Sequence, residues 1–270
     1  MGDTANFYLM ESADEELRLE WKTDPDHVRK QAGWCGIGPG MRVLDAGCGT
    51  GKTTGILFDM VQPGGSALGI DFSERRIGFA REKYGRPGID FQVCDLTKPM
   101  GHIGKFDFIW VRFVLEYFRR ESRDIARLLS ECLNPGGRLC LLDLDHNSLS
   151  HYGIAPEMEE YFFKVMHKVS EEQNFDPYCG RKLYSFLYDL GLADIRVDMV
   201  PHHLIYGEIR EVDVYNWMKK IEVSASKVKP AYNDYPGGFD GFLGDFKKFF
   251  LDPRRFTYTP LIICTGIKPS

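Results

Sequence analysis

With 270 residues, 43% of them hydrophobic, the chain can bury a full core and suits one elaborated domain or one domain with a cap. A net charge of -5 argues against nucleic acid as a partner, because phosphate binding rests on many Lys and Arg contacts. No run approaches the roughly 20 apolar residues that cross a bilayer, and the first ten residues lack the basic and apolar parts of a signal peptide, so a cytoplasmic chain without a membrane partner is expected.

Seven cysteines, at 35, 48, 94, 132, 140, 179 and 264, form neither a paired framework nor close pairs with zinc-ligand spacing. They read as reduced, mostly buried thiols, and no metal site is expected. Near the start, Ser12 and Glu15 make a capping-box pattern before Leu17 and Trp21, and Asp24-Pro25 suits the cap and first position of a second helix. Residues 36–40, bounded by Gly36 and Gly40, end that helical segment.

From Met41 onward short apolar strands, at 42–44, 67–70, 89–93, 106–111 and 139–142, alternate with helical patterns, which predicts a parallel sheet covered by helices. Ile125, Leu128, Leu129, Cys132 and Leu133 share one helical face, and Asn134-Pro135-Gly136-Gly137 stops that helix. Beyond Leu142, Met158, Tyr161, Phe162, Val165, Met166 and Val169 form an apolar stripe that no minimal strand–helix unit requires, and it reads as an inserted cap. A helix with Leu183, Phe186, Leu187 and Leu190 ends at Gly191, and strands follow at 195–200 and 261–267. Between them a second insertion, 207–255, carries Trp217 and the stripe Phe242, Phe246, Phe249 and Phe250, which at helical spacing is core before it is ligand contact. Lys247, Lys248, Arg254 and Arg255 in the same stretch read as a solvated helix face.

The most informative segment is Val43-Leu44-Asp45-Ala46-Gly47-Cys48-Gly49-Thr50-Gly51, which follows a strand and opens a helix. Glycines there permit a tight turn without Cβ clashes, and amides at the next helix's N-terminus favour a negative ligand group. A dinucleotide fingerprint would place a third glycine where Lys52 stands. A P-loop is closer: Gly51-Lys52-Thr53 reproduces its ending, Ala46 replaces its first glycine, and the apolar strand ending in Asp143 imitates a magnesium-binding Asp. Against it, Asp45 precedes the loop and acidic residues recur at the ends of the next two strands, where a triphosphate gains little. S-adenosylmethionine does gain, since its ammonium, ribose diol and adenine amine all donate to oxygen.

The chain resembles the class I methyltransferases through that loop, Gly69-Ile70-Asp71, Cys94-Asp95-Leu96, Phe106-Asp107-Phe108 and Asn134-Pro135-Gly136-Gly137. The resemblance implies an α/β fold with a mostly parallel seven-stranded sheet, helices on both faces, and N-terminal helices and two helical insertions forming a cap. It implies residues 1–40 as a helical lid, 41–147 as the cofactor-binding core, 148–178 as the first insertion, 179–200 with 256–270 as the completion of the core, and 201–255 as the second insertion. By the same resemblance S-adenosylmethionine is the cofactor. Asp45, Ala46, Gly47, Gly49 and Gly51 surround its methionine portion, Asp71 accepts from the ribose, Asp95 and Leu96 address the adenine edge, and Phe72 lies along the adenine face. Val111, Arg112 and Phe113 border the methionine group, with Arg112 for its carboxylate, and Tyr8 and Arg18 resemble positions in helices that close over the cofactor.

Methyl transfer mainly needs alignment and exclusion of water. Where the acceptor needs a base, His146 beyond the fifth strand is placed best, though a loop histidine without a catalytic role is the plainer reading. His151, His202 and His203 are placed less well, while Glu116 and Tyr117 are candidates to line the acceptor pocket. No Asn/Asp-Pro-Pro-aromatic motif follows the fourth strand, which lowers the case for DNA bases. A small-molecule acceptor under the aromatic insertions is expected, and those insertions suit a homodimer interface equally. The alternatives are a P-loop nucleotide hydrolase and a non-catalytic protein of methyltransferase shape. Asp71→Ala is expected to weaken cofactor binding and leave the fold intact.

Overall fold

The computed structural model describes Glu20 and residues 23–270. Tyr8 and Arg18, with the capping pattern at Ser12 and Glu15 and the apolar Leu17 and Trp21, lie outside the described residues.

Helix α1 (Pro25–Cys35) starts as its sequence dictates. The Asp24 carboxylate accepts from the amides of Asp26 (2.8 Å) and His27 (3.3 Å), Pro25 occupies the first turn, and Gly36 at φ 92° ends the helix. The alternation then runs β1 (Arg42–Ala46), α2 (Lys52–Met60), β2 (Ser66–Asp71), α3 (Glu74–Tyr84), β3 (Ile89–Val93), β4 (Phe106–Arg112), α4 (Ser122–Glu131) and β5 (Leu133–Leu144). The remainder comprises a two-residue β6 (His151–Tyr152), α5 (Pro156–Glu172), α6 (Leu183–Asp189), β7 (Ala193–Tyr206), α7 (Glu211–Ser226), α8 (Gly238–Leu251) and β8 (Phe256–Ile267).

Strands β3, β2, β1, β4 and β5 lie side by side and parallel. Antiparallel β8 follows β5, and β7 pairs with its far edge. The short β6 also pairs with β8, through His151 and Thr257, and makes an eighth strand beyond the expected seven. Because β2 and β4 flank β1 on opposite sides, the strand order reverses beside β1. Ligands of open α/β sheets bind at such a switch point, outside the strands' C-terminal ends.

The pleat sends alternate residues to two helical layers. Leu44, Ile70, Ile109, Leu139 and Leu141 pack with Ile125, Leu129, Leu183 and Leu187 of α4 and α6. Val43, Phe108, Trp110, Cys140 and Leu142 pack with Val28 and Ala32 of α1 and Leu57 of α2. All seven cysteines are buried and unpaired.

Three strands run more than two residues past the bounds their sequence suggests. β5 begins at Leu133, so Leu133 leaves the helical face on which its spacing put it, and Asn134-Pro135-Gly136-Gly137 carries the chain into the strand at a register shift opposite Phe106 and Phe108. Gly136 and Gly137 pair there with Lys268; an irregular strand start tolerates proline and glycine that a regular ladder would not. β7 and β8 continue past Val200 and before Leu261, ending in the pairs Leu204–Tyr258 and Tyr206–Phe256. The resulting arm therefore takes residues from both ends of the second insertion.

The aromatic stripes are core. Met158, Phe162, Val165 and Val169 of α5 bury against Trp217 of α7 and Phe242, Phe246, Phe249 and Phe250 of α8, each aromatic removing on the order of 150–250 Å² from water. Lys247, Lys248 and Arg254 are exposed, but Arg255 is not. Its Nη1 donates to the carbonyls of Gly207 (2.9 Å) and Asp252 (3.2 Å), which ties the arm to its loops.

Candidate functional site

A cleft of about 960 Å³ opens at the C-terminal ends of β1, β2, β3 and β4. Asp45, Gly47, Gly49, Asp71, Phe72, Asp95, Leu96, Arg112 and Phe113 all line it. Ala46 and Val111 face the core instead.

The glycine loop is built by backbone bonds. The amides of Gly47 and Cys48 both donate to the Ile70 carbonyl, at 2.8 and 2.9 Å, which turns the chain back over β2. Gly47 has φ 77°, and a Cβ there would lie 2.4 Å from Val114 Cγ2. Only glycine fits that position. Gly51 is required for packing rather than for the cleft, since its Cβ would meet Ala80 and Phe91 at 2.8 Å.

Asp71 closes the loop from the neighbouring strand. Its Oδ2 accepts from the Gly49 amide at 3.0 Å, and its Oδ1 accepts from the Ser73 amide at 3.0 Å and from Arg76 at 3.1 Å. This corrects the expectation that Asp71 is free of the core: its carboxylate pairs with a buried arginine, so Asp71→Ala is expected to cost stability as well as binding. Oδ1 is taken by the Ser73 and Arg76 donors, whereas Oδ2, which accepts from the Gly49 amide, keeps a lone-pair site for a further donor from the cleft.

Asp45 is buried at 3% exposure, and Thr54 Oγ1 donates to its Oδ2 at 2.7 Å. Desolvation pushes its carboxyl up to about 7 despite the Thr54 bond and the nearby Arg112. Arg112 donates from Nε to Gln31 Oε1 (3.2 Å) and lies 4.1 Å over the Phe113 ring. Burial lowers its guanidinium to about 10, against the pull of Asp45 and Asp143. On the far wall, Asp95 Oδ1 accepts from the amide and hydroxyl of Thr97, at 2.9 and 2.7 Å, which holds the loop after β3.

The P-loop imitation fails in geometry. Lys52 Nζ donates to the carbonyls of Glu20 (2.6 Å) and Thr23 (2.8 Å), fastening the chain before α1 rather than pointing at a phosphate. Asp143 is 1% exposed and accepts from the Glu116 amide at 3.1 Å, with its carboxyl pushed up by burial and by Glu116. An enclosed carboxyl whose two oxygens accept from the Glu116 and Leu144 amides is no magnesium ligand.

The structure does not bring His146 to the cleft lining; it stands edge-on to Tyr178 at 5.2 Å between ring centroids. His151, hydrogen-bonded to Thr257 (2.9 Å) and ringed by Phe162, Trp217 and Phe249, belongs to the cap core. His202 and His203 also lie off the lining. Tyr117 lines the cleft, whereas Glu116 turns inward to accept from Asn147 Nδ2 at 2.6 Å.

Sequence reasoning missed Glu20, Arg76 and Gln31. Glu20 is clasped by Thr50 (2.8 Å), Tyr84 (2.7 Å) and Lys83; burial pushes its carboxyl up, but those bonds outweigh it and hold it below the usual range. No spacing links Glu20 to Lys83 or Gln31 to Arg112, so only the fold reveals these pairs.

Sheet order, switch-point cleft and glycine loop together define a class I methyltransferase fold. A methyltransferase domain family matches residues 37–207, and the chain belongs to that family. It is similar to a demethylmenaquinone methyltransferase of Lactococcus lactis, 32% identical over 133 residues, covering 47% of this chain and 50% of that protein. It is also similar to a ubiquinone biosynthesis O-methyltransferase of Aromatoleum aromaticum, 29% identical over 154 residues, covering 56% and 59%. The chain spans about half the length of the curated relatives it matches. Among solved structures, phosphoethanolamine N-methyltransferase 2 of Haemonchus contortus, bound to phosphomonomethylethanolamine and S-adenosylhomocysteine, superposes with TM-score 0.60 at 15% identity. That superposition covers 97% of this chain and 60% of the other, and at such identity it speaks for the fold.

Proposed function

We propose that the chain is an S-adenosylmethionine-dependent methyltransferase acting on a small-molecule acceptor. The observation that carries this reading is the row of Asp45, Asp71 and Asp95 at the ends of three adjacent strands, around a loop where Gly47 leaves no room for a Cβ. Three carboxylates spaced along one cleft suit a ligand with three separated donor groups.

In this reading Gly47 and Gly49 border the methionine portion, Asp45 takes its ammonium and Arg112 its carboxylate. Asp71 accepts from the ribose diol, Asp95 and the Leu96 amide meet the adenine edge, and Phe72 covers its face. When bound, S-adenosylmethionine supplies a methyl group activated by a sulfonium. The chain's own part is to orient the acceptor and exclude water. Phe113, Val114, Tyr117 and Phe118 make the adjoining wall aromatic and apolar, which suits a partly apolar acceptor. Relatives named for quinone precursors agree with that wall. His146 has no part in this reading. The net charge of -5 favours a small acceptor over nucleic acid. Among the described residues no helix is long and apolar enough to cross a membrane.

The test is formation of S-adenosylhomocysteine from S-adenosylmethionine over a panel of phenols, quinols and amines. Turnover with at least one class supports transfer. Tight binding of both sulfur ligands with no turnover anywhere makes the chain a binding protein of methyltransferase shape.

A further inference from the structure

β7 is paired on one side only: among the described residues its partner is β8, and the other edge has none. A long open edge is a template for pairing and is normally blunted. Here the blunting flanks the stretch 195–200 and leaves it open. Pro201 stands opposite Pro260 and has no N–H to offer, and a register shift with Asp194 at φ 48° interrupts the start.

The intervening residues are patterned. Val197 and Met199 are 51% and 66% exposed. They share a face with Ile195, because Met199 pairs with Ile262 and Val197 with Cys264, which belong to the layer under α6. On that helix Tyr184 and Tyr188 are exposed side by side, 6.1 Å between rings, and widen the apolar face. On the opposite face Arg196 and Asp198 alternate with them. Arg196 is already ordered, 4.7 Å over the Trp34 ring and donating to the Trp34 carbonyl at 2.5 Å.

We propose that this edge binds a second copy of the chain, as an antiparallel β7–β7 pair whose two-fold axis passes through Val197. The register is self-complementary. It sets Val197 opposite the partner's Val197, Met199 opposite the partner's Ile195, and Arg196 opposite the partner's Asp198 twice over. Like residues meet only on the axis, and opposite charges meet on either side of it, as an isologous interface demands. Charge complementarity of Arg196 and Asp198 across that axis singles out a second copy over an unrelated strand. The surface lies away from the cleft and from the aromatic insertions, so it stands or falls independently of the methyltransferase reading.

The register gives a sharp test in the full chain. In a hydrogen-bonded antiparallel pair the Cα atoms lie about 5.5 Å apart, inside the roughly 4.4–6.8 Å that a disulfide spans. Val197→Cys is expected to give a disulfide-linked dimer on mild oxidation, and Met199→Cys none, because its counterpart is Ile195; the native cysteines are all buried. By sedimentation the unmodified chain is expected to be a dimer. Asp198→Arg should weaken it about tenfold or more by setting arginine against arginine, and Arg196→Asp with Asp198→Arg should restore it. A monomeric unmodified chain, equal cross-linking at 197 and 199, or a dimer indifferent to Asp198→Arg overturns the proposal.

Discussion

Asp71 and Arg76 form an ion pair inside the cofactor cleft's wall, with Nη2 3.1 Å from Oδ1 and exposures of only 7% and 3%. The residue assigned to a ribose diol is thus also a keystone of the loop between β2 and α3. Breaking one side of such a pair costs about 3–5 kcal/mol, because the remaining charge is left buried. Asp71→Ala is expected to lower unfolding free energy by about that amount, read by urea denaturation, and to weaken S-adenosylhomocysteine binding as well. Asp71→Ala with Arg76→Leu removes both charges and should recover stability while affinity stays low. Recovery of affinity along with stability would remove Asp71 from ligand contact.

Asp45 gives a pH dependence of definite sign. Its carboxyl sits at about 7 in the folded chain against 3.8 ordinarily, because burial disfavours the charge. The folded state therefore holds a proton that the unfolded state has released. The stability from this group is full below about pH 4 and is lost as pH rises to about 7. Asp45→Asn should flatten that slope in melts taken across the window. A cationic ammonium beside Asp45 favours its ionised form, so S-adenosylmethionine binding at about pH 6 should release a proton. Calorimetry in two buffers of different ionisation enthalpy reads it, and Asp45→Asn should abolish it.

Gly47→Ala tests the loop. The new Cβ must move Val114 and hold φ 77° without glycine's freedom, a strain of about 1–3 kcal/mol. A matching loss of stability is expected, with loss of cofactor affinity because Val114 lines the same cleft. Adding Val114→Ala should recover part of both.

The second aromatic insertion is predicted to matter for stability and not for the cofactor. Phe246 is 0% exposed and packs on Phe162, Phe249 and Phe250. Phe246→Ala should cost about 3–5 kcal/mol by thermal or urea denaturation. S-adenosylhomocysteine affinity should be unchanged, since among the described residues none of α7 or α8 lines the cleft.

What was legible in the sequence follows the range of the physics. The strands, α1 with its Asp24 cap and Pro25 start, and the glycine loop are written in neighbouring residues, where periodicity and backbone freedom act. The recurrence of Asp45, Asp71 and Asp95 after successive strands was legible for the same reason, because a parallel sheet brings its strand ends together. Long-range partners were not. Nothing near Lys52 announces the carbonyls of Glu20 and Thr23 that take its ammonium, and nothing near Arg112 announces that Gln31 accepts from its guanidinium. Local β propensity ended β7 at Val200, whereas its pairing with β8 continues to Tyr206 because Leu204 and Tyr258 extend the ladder.

The most direct measurement is a calorimetric titration of the chain with S-adenosylmethionine and S-adenosylhomocysteine, beside magnesium-ATP in the same buffer. Saturable one-site binding of both sulfur ligands and none of magnesium-ATP is predicted, since the cleft's three aspartates are assigned to the former in the proposed reading, and the Lys52 ammonium is already taken by the Glu20 and Thr23 carbonyls. Binding of magnesium-ATP alone would contradict the assignment and return Gly51-Lys52-Thr53 to phosphate chemistry.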